Sequence, residues 1–335
     1  MKRKIIGLLF VFLAISALFA EGTLLAAPYY KGKVVTLICG AEVGGGYDLM
    51  ARLMARHIGK HIPGNPTIIV RNMPGAIGTI AANYLYNIAA PDGLTFATFN
   101  RGLSFGQLQK APGIKFDLTK FQWLGSPSVE STVLTIRSSI PYKTFADLRK
   151  ATAPINIGCT GTTGTDYSFL VLLQEFTGVK FKIVLYPGGS AVLLAIERGE
   201  VDARAGSYSS LQNFVKRGVV RPILRGNVSE PEIEGLPVDE DQVSDKKGKV
   251  YLSMRSLPDR IGRPYAAPPG TPAHIMKILR KAFADTVQDP SFIKDAGKVN
   301  VSPQYVSGEK SLETFNALFN QPADIISEFN KFVKF

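Results

Sequence analysis

Short β-branched runs and amphipathic stretches take turns along almost the whole chain. Val34–Cys39 is a compact apolar run, and Leu49, Met50, Leu53, Met54 and Ile58 then recur at helical spacing across Asp48–His61. Thr67–Arg71 reads as the next strand and Thr79–Ile88 as the next helix, with strand Leu94–Phe99 after the turn Ala90-Pro91-Asp92-Gly93. A second series opens with strand Val133–Arg137, helix Thr144–Ala151, strand Ile155–Cys159 and helix Thr165–Phe176. Strand Phe181–Leu185, helix Ser190–Arg198, a strand near Val201–Ala205, helix Ser209–Lys216 and strand Val220–Leu224 complete it. Such alternation is the signature of a parallel α/β sheet.

Leu124-Gly125-Ser126-Pro127 predicts a crossing between the two series, and the charged, proline-bearing segment Glu230–Lys249 predicts a surface loop. From Arg263 the chain is expected to return to the first series. Pro272 suits the first turn of a helix Ala273–Val287, Pro290 opens a short helix, and Ser311–Lys334 holds the last one. The expected organisation is therefore two lobes, 28–127 with 250–335 and 128–249, joined by a hinge around a ligand cleft.

Three strand-to-helix corners are rich in glycine: Gly40 to Asp48, Ile157 to Thr165, and Leu185 to Ser190. A corner of this kind leaves backbone N–H groups bare at the positive end of a helix dipole, which suits an anion without any charged side chain. Three of them predict a cleft built from helix N-termini.

Lys2, Arg3 and Lys4 precede an uncharged apolar run from Ile5 to Ala20, the pattern of a secretory signal. The run is short for a membrane span, and cleavage after Ala20 or after Ala27 are both open, so residues 1–27 are set apart as the signal. Removing the three leading cations leaves 36 of the 39 basic residues against 27 acidic ones, a balance that attracts anionic small molecules. Nucleic acid is disfavoured, because the cations are scattered and export separates the chain from it. With 335 residues, 45% of them hydrophobic, the chain is long for one core and comfortable for two. The two cysteines, Cys39 and Cys159, fall in different expected lobes, so buried free thiols are favoured over a disulfide that would lock the cleft.

The ordered blocks along the chain resemble the periplasmic substrate-binding proteins of tripartite tricarboxylate transporters, the Bug or TctC-like family. Gly44-Gly45-Gly46-Tyr47-Asp48-Leu49-Met50-Ala51-Arg52 is similar to the family's Pro-Gly-Gly-Gly-Thr-Asp…Ala-Arg opening. Asn72-Met73-Pro74-Gly75-Ala76-Ile77-Gly78 is similar to its Asn-Arg-Pro-Gly-Ala-Gly-Gly turn, and Ala90-Pro91-Asp92-Gly93-Leu94-Thr95 to Ala-Pro-Asp-Gly-Tyr-Thr. Tyr186-Pro187-Gly188-Gly189-Ser190, Gly199-Glu200-Val201-Asp202 and Pro268-Pro269-Gly270-Thr271-Pro272 resemble three further blocks in the same order. The resemblance implies a type II periplasmic-binding-protein fold, two α/β lobes with a hinge and interlobe cleft, closing on a small organic carboxylate. It implies ligands held by backbone amides, hydroxyls and waters, largely without a salt bridge. Its implied partners are the membrane subunits of a tripartite tricarboxylate transporter, for a periplasmic, monomeric, non-enzymatic receptor without a cofactor.

Carried over residue by residue, the resemblance implies a first binding loop of Val43, Gly44, Gly45, Gly46, Tyr47 and Asp48. The second would hold Thr160, Thr162, Thr163, Thr165 and Asp166, and the third Pro187, Gly188, Gly189, Ser190 and Ala191, with Ala205, Gly206 and Ser207 on the far wall. Three departures bear on ligand identity: Val43 and Tyr47 stand where the family has proline and threonine, Asp166 would oppose a carboxylate, and Ile261-Gly262-Arg263-Pro264-Tyr265 replaces a tryptophan-containing strand.

Simpler readings stand beside several of these. Asp48 suits the dipole of the first helix better than a ligand. Arg101 either pairs with a ligand anion or is solvated, and Arg204, inside a strand, needs an anion or a carboxylate partner. His57 and His61 lie four apart, yet Ile58 follows where a zinc protease has glutamate, so no metal is expected. Gly46 and Tyr47 stand where a phosphate loop requires Lys and Ser/Thr. Ser307-Gly308-Glu309-Lys310 lacks the companion motifs of a penicillin-interactive enzyme and reads as a turn. The competing readings are an exported α/β enzyme acting on a carboxylate, which would need a base and nucleophile converging in the cleft, and a receptor feeding a sensor.

Overall fold

The computed structural model describes residues 28–162 and 164–333. The expected signal segment and Thr163 lie outside them. Among the described residues no helix is long and apolar enough to cross a membrane.

The first lobe begins with β1 (Val34–Cys39), α1 (Gly46–Ile58), β2 (Thr67–Asn72), α2 (Thr79–Asn87), β3 (Thr95–Thr98), α3 (Leu103–Leu108) and β4 (Gln122–Ser126). The chain then crosses into β5 (Thr132–Arg137), α4 (Phe145–Arg149), β6 (Ile155–Cys159), α5 (Thr165–Thr177) and β7 (Phe181–Leu185). The second lobe continues through α6 (Gly189–Arg198), β8 (Ala203–Ser207), α7 (Tyr208–Lys216) and β9 (Val220–Arg225). After α8 (Lys246–Ser256) come β10 (Tyr265–Ala267), α9 (Ala273–Gln288), α10 (Pro290–Lys298), β11 (Val306–Ser307), α11 (Gly308–Phe319) and α12 (Ala323–Phe332).

Two sheets result, ordered β11-β4-β10-β3-β1-β2 and β7-β6-β8-β5-β9. The expected parallel pairing is present in both sheets, but each also holds antiparallel strands. β1 pairs in parallel with β2 and β3, and β6 with β7 and β8, but β10 is antiparallel to β3 and β4, and β5 to β8 and β9. β5 and β10 are the strands by which the chain enters a sheet from the other lobe, so no crossover helix sets their direction.

Each lobe has its own core. Leu37, Met54, Phe96, Leu279 and Phe283 pack around one side of the first sheet, while Leu134, Ile157, Phe169 and Leu173 fill the second lobe. Trp123 is enclosed by Phe99, Phe121 and Phe315, and its indole N–H donates to the Leu118 carbonyl at 2.9 Å. Cys39 and Cys159 are buried free thiols in the two separate cores. Burial pushes the Cys39 thiol up to about 12 and the Cys159 thiol higher still. His57 and His61 each face their own aspartate, Asp295 on α10 at 3.1 Å and Asp289, which caps α10, at 3.0 Å. Ser307 caps α11 by accepting the Lys310 amide at 3.1 Å.

Segment Glu230–Lys249 lies largely at the surface, as its charge suggests, but it is not irregular throughout. Two single turns, Pro231–Ile233 and Asp239–Gln242, bury Ile233 and Asp239, and Lys246 already starts α8. The reason is α8 itself: it packs on α5 and carries Arg255, which pairs with Asp239 at 3.4 Å in full burial. The expected division between residues 249 and 250 therefore falls inside α8, and α12 returns to the same face, with Phe176 touching both Tyr251 and Phe332.

Two expected outcomes follow from this packing. Trp123→Ala is expected to cost about 3–5 kcal/mol of stability, read as a shift in the urea midpoint. Glu230 accepts the Ser131 amide at 2.9 Å beside the first crossing, and burial, reinforced by the Glu130 charge, raises its carboxyl to about 7. The folded form thus holds a proton that the unfolded chain releases near its ordinary value of about 4.3. Its contribution is complete below that value and disappears as pH rises through about 7. Urea midpoints are expected to fall between pH 5 and pH 8, and Glu230→Gln to flatten that slope.

Candidate functional site

Loops at the carboxyl ends of β1, β2, β3, β6, β7 and β8 converge from both sheets on a cavity of about 400 Å³. That position and size suit a small molecule in an α/β protein.

The first corner is built by Asp48. Gly44 turns back with φ +84°, a region closed to most side chains, and its amide donates to Asp48 Oδ2 at 3.0 Å. Arg52 Nε donates to the same oxygen at 3.0 Å, and Asn72 Nδ2 to Asp48 Oδ1 at 2.8 Å, which ties the loop to β2. Burial alone would raise the Asp48 pKa, but the bonds from Arg52, Gly44 and Asn72 outweigh it and hold the carboxyl below its ordinary range. Asp48 does not line the cavity; Gly45, Gly46 and Tyr47 do. The first intrahelical bond of α1 is Leu49 N–H to Gly45 O, so the preceding amides have no partner one turn back. Val43 is 66% exposed on the outer crest of the loop and, like Gly44, stays outside the wall.

The second corner differs from the expected row of bare amides. Asp166 accepts the Thr160 amide at 2.8 Å, the Thr160 hydroxyl at 2.7 Å and the Tyr167 amide at 3.0 Å. Its own carboxylate therefore occupies part of the anion site that the helix start offers. Thr160, Thr165 and Asp166 line the cavity and Thr162 does not. In the third corner Pro187 through Ser190 line it, and Ala191, the next residue of α6, does not.

On β8 the side chains alternate. Arg204 and Gly206 reach the cavity while Ala205 packs in the second core, and Ser207, where the strand ends, reaches the cavity too. Arg204 is 5% exposed and donates from NH1 to the Gly189 carbonyl at 2.9 Å. Its Nε has no partner, and it has no ion-pair partner among the described residues. Burial pulls its pKa below the ordinary arginine value, partly offset by the more distant Asp166 charge. A side chain on Gly189 would begin 2.8 Å from its NH2, so this glycine makes room for the guanidinium.

Arg101, open to either reading in the sequence, is neither solvated nor free. Its Nε and NH2 donate to Asp259 Oδ1 at 2.9 and 2.8 Å, and NH2 also reaches Ser207 Oγ at 3.3 Å. Burial works against its charge, yet Asp259 raises its pKa above the ordinary value. Asp259 Oδ2 accepts Arg255 NH1 at 2.7 Å and the Thr132 hydroxyl at 2.8 Å.

Several wall residues were outside the sequence assignment: Glu42, Gly75 to Ile77, Asn100, Ser210 and Arg263. Arg263 pairs with Glu130 and donates to Ser209 and Ser210 at 2.9 and 3.0 Å. The lobes are in contact here. A side chain on Gly161 would meet Ile77 Cδ1 at 2.5 Å, and one on Gly188 would meet Glu42 Oε2 at 3.0 Å. Ile77 is held at φ +54°, a strained conformation for a β-branched residue, where it covers Gly161. Only the departure at Arg263 was visible beforehand, as an unusual block without an assigned partner.

Two mixed α/β lobes closing on a cavity at their strand ends define a periplasmic-binding-protein fold of type II. BugD, a periplasmic binding protein, superposes with a TM-score of 0.75 at 19% identity, covering 90% of this chain and 98% of that one. MatC from Rhodopseudomonas palustris, solved with bound malate, superposes at 0.69 with 20% identity over 90% and 99% of the two chains. The tripartite tricarboxylate transporter family receptor model matches residues 50–330, and the chain belongs to that family. A UPF0065 protein from the ttuE–ttuC' intergenic region of Agrobacterium vitis is 25% identical over 319 residues, 91% of this chain and 87% of that protein. The family is one of periplasmic solute-binding receptors, not of enzymes; it binds small carboxylates and works with a tripartite transporter.

Removing Asp259 leaves the buried Arg101 without its carboxylate and takes one of two carboxylates from the buried Arg255. Asp259→Ala is expected to cost about 3–5 kcal/mol in urea unfolding. Ser207→Ala, which loses one long bond to Arg101, is expected to stay within about 1 kcal/mol.

Proposed function

We propose that this chain, once its signal segment is removed, captures a small organic carboxylate in the periplasm. It acts as a monomer and passes its cargo to the membrane subunits of a tripartite tricarboxylate transporter. The observation carrying the reading is Arg204, a buried guanidinium on the cavity wall with no carboxylate partner among the described residues. A buried charge without a counter-ion is costly, and a ligand carboxylate supplies the missing acceptor with two oxygens.

The amides of Gly189 and Ser190, ahead of the first α6 bond from Val192 N–H to Gly188 O, lie beside Arg204 and add neutral donors. Gly45, Gly46 and Tyr47 bring the start of α1 from the other lobe. A carboxylate held between both sets gains bonds only when the lobes are together, and that differential interaction is what drives closure. MatC, with malate bound in the same fold, is consistent with a carboxylate ligand.

A thermal-shift screen over a carboxylate library is expected to raise the melting temperature with at least one member. Arg204→Gln is expected to weaken that ligand about tenfold to a hundredfold by calorimetry, the worth of a charge-assisted hydrogen bond. Gly189→Val, which drives a methyl into the guanidinium, is expected to abolish binding in a protein that still folds. Absence of any stabilising carboxylate, or turnover of the hit seen by mass spectrometry, would overturn the reading.

A further inference from the structure

Five charged side chains line the cavity: Glu42, Arg101, Asp166, Arg204 and Arg263. Two are ion-paired within the protein, and a third is satisfied by neutral donors. Arg101 has Asp259, Arg263 has Glu130, and Asp166 has three donors of its own corner. Arg204 and Glu42 remain: among the described residues the first has only the Gly189 carbonyl and the second has no polar partner, and they have opposite signs. Arg204 belongs to the second lobe. Glu42, half-buried on the loop after β1, belongs to the first and has no hydrogen-bond or ion-pair partner among the described residues.

Glu42 reaches across the cleft. Its Oε2 lies 3.0 Å from the point where a side chain on Gly188 would begin, at the residue capping α6. The carboxylate thus stands at the cavity wall with acceptor lone pairs and nothing donating to them. A ligand with carboxylates at both ends would bring its second negative charge toward this group, and the two like charges repel. A ligand with a protonated amine there would satisfy both lone charges together.

We infer that the cargo is an amino-carboxylate: its carboxylate is held by Arg204 and its ammonium group by Glu42, so that the ligand spans the two lobes. The inference rests on the carboxylate reading above and narrows it. Glu42 attracts the cationic end and also rejects dicarboxylates of the same length.

The test compares three termini on matched chains of four to six carbons by calorimetry. These are 4-aminobutyrate, 5-aminopentanoate and 6-aminohexanoate, the corresponding hydroxy acids, and succinate, glutarate and adipate. The best amino-carboxylate is expected to bind at least tenfold more tightly than its matched dicarboxylate and hydroxy acid. Glu42→Gln is expected to erase that preference by tenfold or more without moving the ligand-free melting temperature, and Glu42→Lys to reverse it. Tighter binding of the dicarboxylate or hydroxy acid to the unaltered chain, or an unchanged ratio in Glu42→Gln, overturns the amino-carboxylate assignment and leaves the carboxylate reading standing. Failure of all nine compounds overturns the amino-carboxylate assignment, and the carboxylate reading falls with it only if the wider library also gives no hit.

Discussion

The geometry of the cleft depends on one carboxylate. Asp259 has no exposed surface, and it takes two bonds from Arg101 of the first lobe, one from Arg255 of α8 and one from Thr132 at the start of β5. Those donors come from three parts of the chain that meet only where the polypeptide passes between sheets. A buried charge must be fully coordinated or it destabilises the fold, so the junction is strongly selective for one arrangement of the crossings. Its second effect is electrostatic. By consuming the charge of Arg101, it leaves Arg204 as the cation on the wall without a counter-ion.

Much of the architecture was legible because it is local. Glycine-rich corners, the helix starts after them and the apolar strands all report on a few consecutive residues. Gly45, Gly46 and Gly188 to Ser190 could accordingly be placed at the cavity from the chain alone. What escaped was long-range. Glu42 meets Gly188, and Arg263 meets Ser210, only after both lobes have formed. Nothing near Glu42 in sequence marks it as facing the other lobe. The strand directions of β5 and β10 escaped for the same reason, since antiparallel entry is a property of the crossing and not of the strand.

Charged residues were the hardest to place, and each for a different physical cause. Asp48 is a loop anchor because Gly44, Arg52 and Asn72 surround it. Asp166 turns inward to serve its own corner, so a helix start that looked free is partly filled by the chain itself. The acidic segment before α8 is drawn inward by Arg255, a partner that lies sixteen residues beyond Asp239. In each case the decisive quantity was the number of donors gathered around a carboxylate. Composition does not contain that number.

The two thiols lie at the ends of β1 and β6, sealed in separate interiors beneath the corners that shape the cleft. Neither can meet the other without dismantling a core. No disulfide therefore ties the halves together; they are held by packing and by polar contacts such as the Asp259 junction. What holds them together is for that reason indifferent to whether the surroundings are oxidising or reducing.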